Sequence, residues 1–517
     1  MTSIEKIRIG VDVGGTNTDA VAMRGREVLH AVKATTTEDV MGGVLEALRR
    51  LLREGGIAPA SVGVVMIGTT HFTNAVVQRR EVEATAAVRL GLPATECLPP
   101  MVDWPADLRD AIGNHWFLAH GGCEYDGRDL SPLDPAELAG IGAEILRRGI
   151  RAIAVTSVFS PVSDAMEIEA ARILAEAVPG ARITRSAEIG RIGLLERENA
   201  AIMNACLSTL SRKTVGAFRD ALRASGLGCP FYLTQNDGTL MSADTAERFP
   251  VLTFASGPTN SMRGAAFLSG ASEAIVVDVG GTTSDVGALH KGFPRQASVA
   301  VEVGEVRTNF RMPDVFSMGL GGGSLVSAEG NAVGPTSVGF RLVEQALCFG
   351  GTTLTATDIA VAAGRADIGD RARVAHLSPD FLARAQATMT KKLTDAVERM
   401  RLTPDLVPVL VVGGGGILVP EKLGELDVVR PPHHAVANAI GAAIAQVSGE
   451  VDRVFALAGT SREAALAQAR QEAIDRAIAA GAIPGSVEIV DVEDVPLAYL
   501  PGNASRIRVK AVGDLDV

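Results

Sequence analysis

Apolar positions near the start of the chain alternate between short strand-like runs and one helical stripe. Residues 7–12 (I-R-I-G-V-D), 19–23 (D-A-V-A-M) and 28–33 (V-L-H-A-V-K) read as strands, and a Gly-Gly turn joins the first two as a hairpin. Residues 38–54 then put Val40, Val44, Leu45, Leu48 and Leu52 on one helical face, with Gly55-Gly56 as the stop. Residues 62–68 read as a buried strand, followed by Thr69-Thr70 and a short helix. This β-β-β-α-β-α order excludes a Rossmann unit, whose first strand runs straight into a helix.

The order fits a ribonuclease-H-like sheet instead. Residues 93–135 are irregular, hold both Trp residues and read as an insertion with short strands. Residues 151–159 predict a buried strand, with Ser163 as N-cap of the next helix. Residues 194–225 predict a long helical run broken near Ser211, and residues 229–238 a strand ending in Asn-Asp-Gly. The opening pattern then returns: residues 275–287 (I-V-V-D-V-G-G-T-T-S-D-V-G) repeat residues 7–19 almost letter for letter. A later strand ends in four glycines, Gly413 to Gly416, and residues 431–447 read as a helix. The tail reads as a helix over residues 461–480 and two strands, 487–492 and 506–512. We therefore expect an α/β chain of two ribonuclease-H-like lobes, residues 1–190 and 191–450, with a small α+β appendix at 451–517.

At 517 residues two or three domains are the natural division. A net charge of −11 and only 4% aromatic residues argue against nucleic-acid binding, which needs clustered cations and stacking platforms. The five cysteines lack Cys-x-x-Cys spacing, so neither a zinc knuckle nor a disulfide framework follows. The polar first residues carry no signal-peptide pattern, and the most apolar helical stretch, 435–447, is shorter than a bilayer requires. A cytoplasmic protein with no membrane partner is expected.

The repeated turns carry the chemistry. Gly14, Gly15, Gly280 and Gly281 lack Cβ atoms, so backbone N–H groups can close around phosphate oxygens. Thr16, Asn17 and Thr18 add short donors in the first turn, and Thr282, Thr283 and Ser284 in the second. Asp12 and Asp278 each end a strand, and together could hold a hydrated Mg²⁺. Gly414 and Gly415, after a strand, allow close approach to a base or ribose. One such turn is common; a matched pair points to a nucleotide held between two halves.

This layout of two phosphate loops and an adenosine loop resembles the actin, Hsp70 and sugar-kinase ATPase superfamily. Residues 67–75 (I-G-T-T-H-F-T-N-A), 254–265 (F-A-S-G-P-T-N-S-M-R-G-A) and 318–324 (M-G-L-G-G-G-S) resemble segments of the hydantoinase/oxoprolinase A family, as do 333–339 and 357–360. Two departures are the F-R-L-V-E-Q-A-L-C-F-G run at 340–350 and the Thr-Asn after Ser-Gly-Pro. The resemblance implies an actin-like ATPase fold and ATP with Mg²⁺ as cofactors. It implies ATP-dependent opening of a cyclic amide (hydantoin, 5-oxoproline or lactam) by phosphorylation of the amide oxygen, which makes a good leaving group for attack by water. It also implies a separate hydrolytic B-type subunit, and leaves homo-oligomerisation open. Asp12, Asp278, Thr70, Asn74 and Asp237 are the catalytic candidates, with Thr69 and Asn236 beside them, and Gly321 and Gly322 join the cofactor-binding set. Asp19 and Asp285 read equally as supporting groups or plain hairpin residues. His71, His433 and His434 read as structural, and Glu196, Arg197 and Glu198 as a solvated or inter-lobe charge cluster. The competing readings are a sugar-type kinase using Asp237 as base and a non-catalytic ATP-driven switch. A metal-dependent hydantoinase is disfavoured by the lack of clustered His.

Overall fold

The computed structural model describes residues 6–14, 17–35, 40–297, 301–401, 403–457, 460–497 and 504–517. The first lobe opens with β1 (Ile7–Val13), β2 (Asn17–Arg24) and β3 (Glu27–Thr35) as an antiparallel meander, followed by helix α1 (Val40–Glu54) and strand β4 (Val62–Thr69) parallel to β1. Every residue of β4 is buried, as a strand covered on both faces requires. α1 packs Val44, Leu48 and Leu51 onto this sheet. The second lobe repeats the plan with antiparallel Ala274–Val279 and Ser284–His290, and Val409–Val412 parallel to the first of them. The fold is thus α/β with two ribonuclease-H-like sheets.

The sheets cut the chain differently from the boundaries expected at 190 and 450. The first sheet has nine strands, in the order Glu488–Leu497, Ala504–Gly513, Val447–Ala456, Leu240–Ser242, Phe231–Thr234, β4, β1, β2, β3. The tail strands are therefore an extension of the first sheet, joined to it where Leu240 pairs with Val447. The expected insertion also proves larger: Thr85–Leu92, His115–His120, Ala152–Ser157 and Arg182–Arg185 form a separate parallel four-stranded sheet. Its strands lie far apart in sequence, which hid their pairing.

Smaller expectations shift as well. Asp164, not Ser163, precedes the helix Ala165–Ala177. The long helical run breaks at Leu207, between Leu194–Cys206 and Ser208–Ala224. The helix expected over residues 431–447 is only Ala437–Ala443 after a 3₁₀ turn, and Val447 already starts a strand. Arg197 and Glu198 are not solvated: they are 1% and 2% exposed. Their helix lies between the four-stranded sheet and the hairpin Val301–Val303/Val306–Thr308, so the charges are satisfied internally. The Arg89 guanidinium pairs with Glu198, and Arg197 donates to Ser186 Oγ and to the carbonyls of Ser157, Arg191 and Gly193.

Two helices join the lobes. Ser256–Ser269 and Ala437–Ala443 cross so closely that a Cβ on Gly264 would lie 1.9 Å from the Ala437 carbonyl oxygen, and one on Gly441 1.9 Å from that of Asn260. A Cβ on Gly10 of β1 would lie 2.0 Å from the Ala439 carbonyl oxygen.

Two outcomes follow. Gly264→Ala or Gly441→Ala should destabilise by about 1–3 kcal/mol through overpacking, whereas Gly216→Ala, whose Cβ meets nothing within 4 Å, should be neutral or stabilising by about 0.4–1 kcal/mol; chemical denaturation measures both. Glu198→Ala strands the buried Arg89 and should cost about 3–5 kcal/mol, while Arg89→Met with Glu198→Met should recover most of the loss.

Candidate active site

Both Gly-Gly turns close in the same way. Gly14 N–H donates to the Asn17 carbonyl at 3.1 Å, and Gly280 N–H to the Thr283 carbonyl at 2.9 Å. In each hairpin the two aspartates face across the strands, Asp12 opposite Asp19 and Asp278 opposite Asp285. Gly15 and Thr16 lie outside the described residues. Thr282 and Thr283 are exposed at the tip of the second turn. Ser284 is not: its hydroxyl donates to the Leu320 carbonyl at 2.6 Å and it is fully buried. Thr18 is likewise fully buried, while Asn17 at the start of β2 is half-buried.

Asp12 sits at the carboxyl ends of parallel β1 and β4, the edge where open α/β sheets place ligands. Its neighbour on β4 is Gly68, where a Cβ would come within 2.6 Å of Asp12 Oδ1 and 2.3 Å of Asn260 Nδ2. Asn438 Nδ2 donates to Oδ2 at 2.9 Å, and buried Oδ1 has no hydrogen-bond partner among the described residues. Burial, then the negative charges of Asp19 and Asp278, push the Asp12 carboxyl up to about 7, against the pull of the Asn260 and Asn438 amides. Asp278 accepts from Ser261 Oγ at 2.5 Å, and burial raises it too. Burial, then Asp278, pushes Asp285 up to about 6, although the Ser317 hydroxyl donates to it. Asp19 is raised by burial and pulled back by Lys33, whose ammonium donates to both its oxygens at 2.6 and 2.8 Å. Sequence reasoning assigned no role to Lys33, Asn260, Ser261 or Asn438; Asn260 and Ser261 stood inside the family-like segment 254–265, and Lys33 and Asn438 were marked only by the alternation along β3 and a polar break in an apolar helix.

The glycine loops divide their work. A Cβ on Gly321 would lie 2.6 Å from Thr282 N, and Gly322 and Gly323 N–H donate to the carbonyls of Gly280 and Gly281 at 3.0 and 2.7 Å. This loop therefore props the second Gly-Gly turn from behind, rather than offering those N–H groups to a cofactor. Gly415 is buried against Gly280, and Gly413, at φ +84°, leaves room for Asp278 Oδ1. Gly414 is exposed with open space where a Cβ would stand, which suits approach by a flat base.

Thr70 and Asn74 are brought together, Asn74 Nδ2 donating to Thr70 Oγ1 at 3.4 Å. A Cβ on Gly257 would lie 3.2 Å from Thr70 Cγ2, and Ser256 Oγ donates to the Thr69 carbonyl at 3.0 Å. The Gly-Thr-Thr and Ser-Gly-Pro segments thus meet beside β1, since Thr69 pairs with Val13. His71 is half-buried, and burial lowers it despite Glu81 at 3.7 Å. His434 Nδ1 rests 3.1 Å from the Pro431 carbonyl and His433 turns left-handed before it, both structural settings.

Asp237 does not fit the role of a base. Lys510 Nζ donates to it at 2.5 Å, and Thr239 N–H and Oγ1 donate at 3.0 and 2.7 Å. Burial alone would raise its carboxyl, but Lys510 and Thr239 outweigh it and hold the group below its ordinary value. An acid so held is a poor proton acceptor. Asn236 is spent on backbone: its side chain accepts from Ala255 N at 2.7 Å and donates to the Val251 carbonyl at 3.1 Å.

Among the described residues, no three His, Cys, Asp or Glu side chains converge as a closed metal cage. None of the described helices is long and apolar enough to cross a membrane.

Comparison with known proteins agrees with this geometry. In sequence, the chain is 27% identical over 394 residues to the acetophenone carboxylase gamma subunit of Aromatoleum aromaticum, covering 69% of this chain and 53% of that one. It is 26% identical over 392 residues to the caprolactamase subunit alpha of Pseudomonas jessenii, covering 70% and 55%. The chain thus spans about half the length of these two curated relatives. In structure, it matches an ATP-dependent caprolactamase from Pseudomonas jessenii with a TM-score of 0.76 at 18% identity, over 98% of this chain and 88% of that one. It matches nucleotide-free acetone carboxylase with a TM-score of 0.73 at 18% identity, over 99% and 88%. Residues 8–178 match the hydantoinase/oxoprolinase N-terminal region and residues 197–370 match hydantoinase/oxoprolinase, together about two-thirds of the chain. The chain belongs to the hydantoinase/oxoprolinase family.

Proposed function

We propose that this chain is the ATP-using subunit of an enzyme that opens a cyclic amide, working with a separate hydrolytic subunit in the cytoplasm. The observation that carries the reading is the pair of matched hairpins, each ending a strand in an aspartate, with Asp278 near enough for its charge to raise the Asp12 carboxyl. Buried Asp12 Oδ1, with no hydrogen-bond partner among the described residues, suits a water of a hydrated Mg²⁺. Two carboxylates without a closed cage leave most of the coordination to waters and phosphate oxygens. Gly414 suits the base, and Thr282 and Thr283 suit the phosphates. Bound ATP would supply the phosphoryl group.

A lactam nitrogen delocalises into its carbonyl, so the carbon resists water until the oxygen is phosphorylated. That oxygen is already partly negative and needs alignment and charge neutralisation more than a base. Thr70 and Asn74, beside Gly257 and next to β1, supply hydroxyl and amide donors to orient such a carbonyl. The caprolactamase relation supports a lactam substrate, and the subunit names of both relatives support a partner chain. The relation to a ketone carboxylase subunit favours a second reading, in which the activated carbonyl is that of a ketone. A sugar-type kinase loses its base, because Asp237 is committed to Lys510.

Asp12→Asn and Asp278→Asn should each lower Mg-ATP turnover by about 10²–10³-fold, with unchanged thermal unfolding in the absence of nucleotide. Wild-type turnover in either variant would remove the metal assignment. ATP hydrolysis measured across lactams, hydantoins, 5-oxoproline and ketones, with and without the co-purified partner, should be stimulated by a cyclic amide. Stimulation by ketones alone would select the second reading.

A further inference from the structure

The two lobes repeat one row of side chains with a single exchange. In the first sheet the row runs Asp12, Asp19, Lys33 across β1, β2 and β3. In the second it runs Asp278, Asp285, Ser317, the last on the strand Val315–Met318. The third position of each row serves the second: Lys33 donates to both oxygens of Asp19, and the Ser317 hydroxyl donates to Asp285. Ser317 is sufficient to satisfy a hairpin carboxylate, so a lysine at the matching place does more than that duty requires.

Lys33 also lies near enough to the other lobe for its charge to pull against the burial that raises Asp278. Its side chain is 36% exposed, while that of Asp19 is 5% exposed. The ammonium therefore stands at the solvent side of a buried carboxylate, in the row that ends at Asp12. A triphosphate entering here meets four aspartates, and one divalent cation offsets only part of that repulsion. An ammonium carries three donors and Asp19 takes two, so Lys33 can hold Asp19 and an anion at once.

Resting on the nucleotide reading above, we propose that Lys33 binds the terminal phosphate of ATP, bridging it to Asp19. The lobe that carries lysine thereby becomes the one that grips the transferred phosphoryl group, and the lobe that carries Ser317 holds the remaining part of the nucleotide. No proton moves in this step; the ammonium stays charged and its donors are shared between carboxylate and phosphate oxygens.

Calorimetric binding of Mg-ATP and Mg-ADP to the full chain tests this. Lys33→Met should weaken Mg-ATP by about tenfold or more and Mg-ADP far less, while Lys33→Arg should keep most of the preference for ATP. Lys33→Met strands the buried Asp19 and could unfold the hairpin, so the decisive variant is Asp19→Asn with Lys33→Met, in which the neutral pair removes that penalty. It should melt near the wild-type temperature and still lose the preference for ATP. Wild-type affinity for Mg-ATP in the double variant would show that Lys33 only neutralises Asp19, and equal weakening of both nucleotides would also overturn the proposal. If the wild-type chain bound neither nucleotide, the nucleotide reading itself would fall, and this inference with it.

Discussion

Backbone contact between the helices Ser256–Ser269 and Ala437–Ala443 sets the distance between the two sheets, and with it the whole site. Gly264 and Gly441 let each helix rest on a carbonyl of the other, and Gly10 seats the second helix on β1. Close-packed interiors do not deform continuously, so this crossing has a narrow range of spacings. The same helices carry the groups that touch the two strand-end aspartates. Ser261 donates to Asp278 from one, and Asn438 donates to Asp12 from the other. A change in crossing therefore moves both carboxylates together. On the reading proposed above, closure of the lobes and assembly of a metal site would be one event, as in a clamp that couples binding to chemistry.

Within that clamp the protein holds charge at a cost. Burial and the charges of neighbouring carboxylates push Asp12 up to about 7 and Asp285 up to about 6. Left to themselves these groups resist ionisation; on the proposed reading a divalent cation would reverse the balance, because it adds positive charge where desolvation is the main penalty. On the proposed reading, the unfavourable field of this row of carboxylates and an affinity for a metal-bound phosphate would be two sides of one arrangement. This also accounts for the supporting amides and hydroxyls. Asn438 and Ser261 orient a carboxylate without neutralising it, which would leave its charge for the proposed cation.

What could be read in the sequence were features with a local period. The hairpins were legible because apolar alternation, a Gly-Gly turn and a strand-end aspartate all fall within a dozen residues, and because they occur twice. The Thr69–Asn74 and Ser256–Pro258 segments were legible as family motifs, and the fold brings them into contact. What could not be read were partners distant in sequence. Asp237 resembles a catalytic acid in its Asn-Asp-Gly turn, yet its partner Lys510 stands on a strand at the other end of the chain. Glu198 resembles a surface charge until Arg89 is placed against it. The glycines at 321 and 322 carry the mark of a ligand loop, but their N–H groups are spent on Gly280 and on Ser324 Oγ. Glycine permits close approach; it does not say to what.

The tail strands illustrate how such distant pairing reaches the site. One face of Ala504–Gly513 carries Arg506, Arg508 and Lys510, opposite Val454, Asp452 and Glu450 on one side and Val495, Glu493 and Asp491 on the other. Arg191 and Arg311 lie against the same carboxylates, so the charges interlock in two dimensions. From this lattice Lys510 reaches Asp237 in the turn after Phe231–Thr234. The next residue back, Asn236, accepts from Ala255 N and, through its carbonyl, from Thr259 Oγ1. Those two residues begin the helix that presents Asn260 to Asp12 and Ser261 to Asp278. The C-terminal strands thus reach the clamp through three links, each a hydrogen bond with a buried partner. Rigidity at a helix start is what a site needs when side chains must be held within a fraction of an ångström of a ligand. The tail is part of the scaffold that aims the aspartates, and its ion pairs act on the site by stiffening the turn that the helix grows from.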